Sequence, residues 1–454
     1  MEKTVASQQK LFYLNGTKNI TFRIEQLRKL KRVLKENEHL LNEAIYSDFK
    51  KSSFENFTTE LSLVYHDINE AIKKLPRWAK KKRVKTNLIN FPAKSYIVPE
   101  PLGNILIIGA WNFPYLTSLA PVAAAMAAGN TIILKPSELS SHSSKAIHKM
   151  ISENFDNSYF AVVEGGVPET TLLLEQKFDK IFFTGSLAVG KIIYKAASKH
   201  LTPITLELGG KSPAFVTEKC DLKIVVKRLI WAKYLNSGQA CTAPDYVLVH
   251  KSVKQNFLEL AKKEIERAEY SFDNGNYIQI INEDHMQRLI NLLSDKNIYH
   301  GGNYNLAERY IEPTIIENIT FEDPIMQEEI FGPLLPVIEY DRLDDIIKKV
   351  KSLPKPLACY IYTHDNDTKN KILKEISFGG GAVNESNMHI TNTQIPFGGV
   401  GESGIGSYHG EFGFNTFTHH KGIIDKPTWF DPNLRYFPYN LKKLKWIKRF
   451  LRQK

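Results

Sequence analysis

The segment Asn104-Ile-Leu-Ile-Ile-Gly-Ala110 decides the fold of this 454-residue chain. Four consecutive aliphatic residues with no polar alternation suit a strand buried on both faces, and such strands belong to parallel sheets covered by helices. Outward from it, a small-residue-rich helix over 116–128 stops at Gly129-Asn130. Strands at 131–134, 160–163, 180–183 and 203–207 then alternate with helices at 141–151, 168–174 and 189–198. This alternation predicts a doubly wound, Rossmann-like sheet that takes ligands at the carboxyl ends of its strands. It begins again with strands at 213–216 and 246–250, helices at 221–235 and 253–268, and strand–helix sets over 335–353 and 358–376. The fold class is therefore α/β, with two doubly wound open-sheet domains. Upstream, helical spacing over 22–47 and 60–75 predicts amphipathic helices, the second stopping at Pro76. Residues 84–98 alternate like a strand and fit either a hairpin or an arm.

Composition narrows the function classes. A hydrophobic fraction of 43% and a charged fraction of 24% are those of a soluble globular protein, and the length exceeds one ordinary core. Cys220, Cys241 and Cys359 are far apart and odd in number. They form neither a disulfide framework nor a zinc spacing, so no metal is assigned and a reducing cytoplasm is expected. The first ten residues lack the apolar core of a secretory signal, and no run approaches the ~18 apolar residues of a membrane span. The net charge of +11 invites an anionic partner, with lysines along the whole chain and denser spots at 80–85 and beyond 441. No nucleic-acid motif accompanies it, so nucleic-acid binding is not expected.

Polar and glycine residues mark the strand ends. Trp111-Asn-Phe-Pro114 follows the first strand, Lys135-Pro-Ser-Glu138 the second and Thr184-Gly-Ser-Leu-Ala-Val-Gly190 the fourth. The last opens a helix whose free N–H groups and Ser186 suit a phosphate, although without GxGxxG it reads equally as a plain cap. Lys135 and Glu138 suit ribose hydroxyls or simple solvation. In the second domain, Ser237-Gly-Gln-Ala-Cys-Thr-Ala-Pro-Asp245 sets Cys241 among small residues, where a thiolate can reach an electrophile. A lone cysteine is otherwise a small buried hydrophobe, the reading given to Cys220 and Cys359.

Taken together, WNFP (111–114), LKPSE (134–138), FTGS with Gly190 four residues on, LELGGKSP (206–213), GQxCxAPD (238–245), EEIFGP (328–333) and PFGGVGESGIG (396–406) resemble the aldehyde dehydrogenase superfamily, over about residues 30–424. The short leader before Trp111 and Ala-Pro-Asp-Tyr246 after the cysteine look like the class 3 or fatty-aldehyde branch. The resemblance implies that Cys241 attacks the aldehyde carbon, that the Asn112 amide and the Cys241 N–H hold the oxyanion, and that Glu207 activates the hydrolytic water. It further implies a nicotinamide cofactor bound by Trp111, Lys135, Glu138, Gly185, Ser186, Gly190, Leu208, Glu329 and Phe331. Glu329 is also a candidate base. A carboxylate at Glu138 favours NAD, with NADP possible, because it would repel a 2′-phosphate.

Phe113, Tyr115, Tyr234 and Leu235 flank these motifs and read either as an apolar substrate tunnel or as core. The tunnel reading implies a medium- or long-chain aliphatic, or an aromatic, aldehyde. An acylating or reductive relative that exchanges the thioester with coenzyme A is the alternative, disfavoured by Glu207; a retired binding protein is the third reading, disfavoured by Cys241, Asn112 and Glu207 together. The domain division expected is 1–206 for the cofactor, with an oligomerisation arm at about 81–100, 207–395 for the thiol, 396–440 as a bridge and 441–454 as a tail. A homodimer is the expected assembly. The tail spaces Leu441, Leu444, Ile447 and Leu451 helically among six basic residues. It fits peripheral contact with an anionic membrane, or a helix docked on its own protomer or a partner.

Overall fold

A computed structural model describes residues 1–293 and 297–451. They fall into two units: residues 1–78 with 101–418, and residues 79–100 with 419–454.

In the larger unit, Ile105, Leu106, Ile107 and Ile108 are all buried, as a strand covered on both faces requires. One sheet runs in the order Gly404–Ile405, Ile204–Glu207, Lys180–Thr184, Asn104–Ile108, Thr131–Lys135, Phe160–Val162. All pairs are parallel except the first, where Gly404 lies antiparallel to Glu207. Chain order reverses between Asn104–Ile108 and Lys180–Thr184, which opens a crevice past their carboxyl ends. The helix Pro114–Ala128 starts with proline and ends at Gly129, whose φ of 90° is the left-handed cap that glycine adopts without strain.

The other sheet of this unit runs Ile298–His300, Thr314–Ile316, Leu334–Tyr340, Tyr246–His250, Pro213–Val216, Ala358–Tyr362, Gly380–Val383. Only its first pair is antiparallel. Its reversal falls between Pro213–Val216 and Ala358–Tyr362, giving a second crevice of the same kind. Two open, doubly wound α/β sheets are thus present.

The helix expected to stop at Pro76 instead runs Ser62–Trp78. The proline sits in its last turn, where it forfeits one backbone bond, and Trp78 just beyond is buried against Phe414 at 5.8 Å. The opening helix Glu2–Tyr13 was not legible, because its sequence is mostly polar. It is held by the buried Gln8 amide, which donates to the Ile132 and Asn157 carbonyls at 2.9 and 3.0 Å.

The smaller unit holds a three-stranded sheet, Lys82–Val84, Lys94–Pro101 and Thr418–Asp425, with a helix at Leu441–Leu451. The stretch 84–98 thus contributes to a hairpin-like antiparallel pair. The unit unites the two dense basic spots at 80–85 and beyond 441: sixteen lysines and arginines stand against three acidic residues. With the whole chain at +11, the larger unit is slightly acidic.

One ion pair lies fully buried in the larger unit. Lys51 Nζ donates to Glu60 Oε1 at 2.8 Å, both side chains having no exposure, and Glu60 Oε2 accepts from the Tyr115 and Leu116 N–H groups at 2.8 and 3.2 Å. A carboxylate there satisfies free donors of the helix Pro114–Ala128 and complements its dipole. Lys51→Met strands that charge without a counterion and should cost about 3–5 kcal/mol of stability, read from urea unfolding midpoints.

Candidate active site

Both crevices open on one cavity of about 1740 Å³ within the larger unit. Its wall carries Asn112 and Trp111 from beyond the first strand, Lys135 and Glu138 from beyond the second, Gly185 and Ser186 from beyond the fourth, and Glu207 and Leu208 from the end of the fifth. The other domain-like half adds Cys241, Glu329 and Phe331. Chain segments separated by more than two hundred residues therefore meet in one hollow.

The cysteine loop is held in a conformation that few sequences adopt. Asn236, Ser237 and Gly238 all have positive φ, at 55°, 52° and 72°. A side chain at Gly238 would come within 2.3 Å of the Gly332 carbonyl oxygen, so only glycine fits. Asn236 Nδ2 donates to the Asn112 and Gln239 carbonyls at 3.1 and 2.9 Å, its N–H donates to Glu55 Oε1 at 2.9 Å, and Ser237 Oγ donates to the Ile278 carbonyl at 2.6 Å. Asn112 Nδ2 in turn donates to the Gln239 carbonyl at 3.0 Å. That bond uses one amide hydrogen, fixes the side chain and leaves a second hydrogen to give.

Three titratable groups face the cavity in an environment that resists charge. Burial, reinforced by the Glu329 and Glu207 carboxylates, pushes the Cys241 thiol up to about 12, against the pull of the Cys241 and Thr242 N–H groups. Burial pushes the Glu207 carboxyl well above its ordinary range, and neither of its oxygens has a protein partner. Glu329 is pushed up to about 8 by burial and by Asp245, with the Gly210 N–H, Lys211 and Arg288 opposing. A thiol with carboxyls at hand, and an amide donor held toward the same space, is the equipment of nucleophilic acyl chemistry.

The residues implied for a dinucleotide fit one. Lys135 is buried at its strand end and paired with the half-exposed Glu138 at 2.5 Å. Ser186 caps the helix Leu187–Ser198 by accepting from the Val189 N–H at 3.4 Å, so the helix start faces the cavity with donors only loosely engaged. Trp111 packs against Phe331 and His285 at 5.3 and 5.4 Å. Gly190 lies behind this wall: a side chain there would meet Leu208 at 2.9 Å, so its absence lets helix and strand approach. Of the four apolar candidates, Phe113, Tyr234 and Leu235 line the cavity. Tyr115 does not; its hydroxyl turns away to the Leu41 carbonyl at 2.6 Å.

Sequence reasoning missed a brace and a rim. Lys211 Nζ bonds Asp245 and the Ile325 and Glu328 carbonyls, while Asp245 Oδ1 accepts from the Ile330 N–H at 2.9 Å. Lys211 and Asp245 lie inside two of the quoted motifs, so the signal was there. Phe54, Trp231 and Met388 line the cavity while largely exposed, and nothing local marks them. Cys220 and Cys359 are free and stand outside the site, the first bonded to the Thr217 carbonyl and the second buried in a core strand. Among the described residues no cluster of metal-ligating side chains occurs.

The comparisons with known proteins agree with this geometry. The profile of the Aldehyde dehydrogenase family matches residues 1–423. The chain is 43% identical to the 4,4′-diaponeurosporen-aldehyde dehydrogenase of Staphylococcus aureus, over 100% of this chain and 99% of that protein. It is 43% identical to the dimeric NADP-preferring aldehyde dehydrogenase of Mus musculus, over 91% and 92%. A solved structure of the substrate-bound state of Staphylococcus aureus AldH superposes with a TM-score of 0.96 at 43% identity, covering 99% of both chains.

The raised carboxyls set a pH dependence. Burial pushes Glu329 up to about 8 and Glu207 well above its ordinary range, so each ionises at a higher pH than an exposed carboxyl. The ratio kcat/KM should therefore rise with pH through the neutral range, and Glu329→Gln should remove the limb near 8 if that group supplies it. A profile that falls from pH 6 to 9 would contradict the assignment.

Proposed function

The chain belongs to the aldehyde dehydrogenase family, and we propose that it oxidises a long, apolar aldehyde to the carboxylic acid through Cys241. Oxidation of aldehydes with NAD(P) is the family's activity. The observation that carries the finer reading is the cavity wall. Phe113, Leu116, Tyr234, Leu235 and Tyr270 line it, and Phe54, Trp231 and Met388 bring exposed apolar surface to it. Such a surface shields the chain of an extended hydrophobic substrate whose aldehyde end reaches the thiol. One close relative is itself named for 4,4′-diaponeurosporen-aldehyde.

In this reaction the Cys241 sulfur bonds to the aldehyde carbon as its proton passes to a neighbouring carboxylate. Asn112 Nδ2 and the Cys241 N–H receive the oxyanion. A nicotinamide held in the cavity would supply the hydride acceptor, and the oxidised carbon stays on the Cys241 sulfur as a thioester. Glu207, with both oxygens unpartnered, takes a proton from water as it attacks; the carbon–sulfur bond breaks, the acid departs and the thiol is restored. Lys135 and Glu138 would hold the adenosine ribose, Gly185 and Ser186 the pyrophosphate, and Glu329 and Phe331 the second ribose. A homodimer is proposed on the exposed edge strand Thr418–Asp425, which offers unpaired backbone groups to a second copy.

Three measurements test this. Across straight-chain aldehydes of rising length, kcat/KM should climb by up to about four-fold per added methylene before levelling; a flat series would defeat the long-substrate reading. Asn112→Ala should lower kcat by about 10²–10³. With one aldehyde, kcat/KM should favour NAD over NADP, and Glu138→Gln should narrow the gap; a preference for NADP would overturn the role given to Glu138.

A further inference from the structure

We propose that the smaller unit docks the chain on an anionic phospholipid bilayer, with the helix Leu441–Leu451 lying along the lipid surface. Three observations converge on it. The first is charge segregation: this unit holds more excess positive charge than the whole chain does. Its few acids are partly spent internally, Glu100 on Lys421 at 2.7 Å and Asp431 on Arg435 at 2.9 Å. Among the described residues, Lys442, Lys445, Lys448 and Arg449 have no such partner.

The second is the helix itself. Leu444, Ile447 and Leu451 share one face by their spacing, while Lys442, Lys445 and Arg449 share another. Arg452 and Lys454 of the tail lie outside the described residues. Lys443, which falls toward the apolar side, is turned back to the Tyr436 and Pro438 carbonyls at 2.8 and 3.0 Å. The third is exposure: Leu441 is 82% exposed, Leu451 54% and Leu444 44%, with Ile447 half-buried between them, and Trp429, Phe437 and Tyr439 also stand in solvent. A nucleic acid would answer the charges and leave the leucines wet. A second copy presenting the same helix would meet like charge. An anionic bilayer answers both, with headgroups for the lysines and acyl chains for the leucines. No helix among the described residues is long and apolar enough to cross a membrane, and the contact proposed is a peripheral one.

The test uses the full chain and vesicles without any aldehyde, so it can fail while the substrate reading stands, and the reverse. In flotation, the protein should rise with phosphatidylglycerol-containing vesicles, stay behind with pure phosphatidylcholine, and detach as salt is raised. Replacing Lys442, Lys445 and Lys448 together by glutamine should lower the partition constant on the order of 100-fold, at about five-fold per lysine. Turnover of a short soluble aldehyde should not change. No flotation with anionic vesicles at low salt would overturn the proposal, as would equal binding to neutral ones. A triple variant that loses oligomeric mass while floating normally would also overturn it, by assigning the helix to a subunit interface.

Discussion

The site depends on a three-residue left-handed turn, Asn236–Ser237–Gly238, pressed against the carbonyl of Gly332. Two non-glycine residues in that region cost about 1–3 kcal/mol each. The cost is offset locally by the Asn236 amide, the Ser237 hydroxyl and the bond from the Asn236 N–H to Glu55, each worth about 0.5–1.5 kcal/mol net. What the turn achieves is placement. The chain leaves the helix Leu222–Tyr234, reverses, and delivers Cys241 to the cavity beside the Asn112 amide, with Gln239 accepting from both asparagines. The thiol and its amide donor are thus fixed by one hydrogen-bonded knot that spans both sheets.

A second brace works from the opposite side. Lys211, three residues beyond Leu208, bonds Asp245, four residues beyond Cys241, and both hold the segment carrying Glu328, Glu329 and Ile330. The side-chain position of Gly209 is filled by the Glu329 carboxyl, at 2.0 Å from where a Cβ would stand. Gly209 therefore lets that carboxyl lie directly on the backbone, while Gly210 packs toward Pro356 with a φ of 146°. The run LELGGK is as much a packing requirement as a chemical one.

Much of this was legible. The strand cores announced themselves because a parallel sheet buried on both faces tolerates only aliphatic runs, and the strand ends were marked by residues that no buried strand would carry. Cys241, Glu207 and Asn112 were singled out by their motifs and do share one cavity. For Tyr115 the sequence left tunnel and core open, because an aromatic beside a motif has no local sign of which way it points, and the fold buries it in the core. It follows the helix periodicity into the Leu41 side. Phe54, Trp231 and Met388 were invisible for the complementary reason, since a cavity wall assembled from remote segments leaves no pattern in any one of them. The dense basic spots at 80–85 and beyond 441 were visible as well, but nothing in either run shows that both belong to one unit.

The same low polarity that shapes the cavity orders the proposed chemistry. Burial raises Cys241 first, and the Glu329 and Glu207 carboxylates add to it, so sulfur gains charge most easily when one of those carboxylates takes up a proton. In the proposed reaction the thiol proton passes to such a neighbour, and the transfer removes the charge that opposes sulfur at the moment sulfur attacks. Glu207 itself is raised by burial alone, and its two unpartnered oxygens leave it free to take the proton of a water that enters the cavity. A dry cavity thus ties the proposed nucleophile to its proton acceptor in one step.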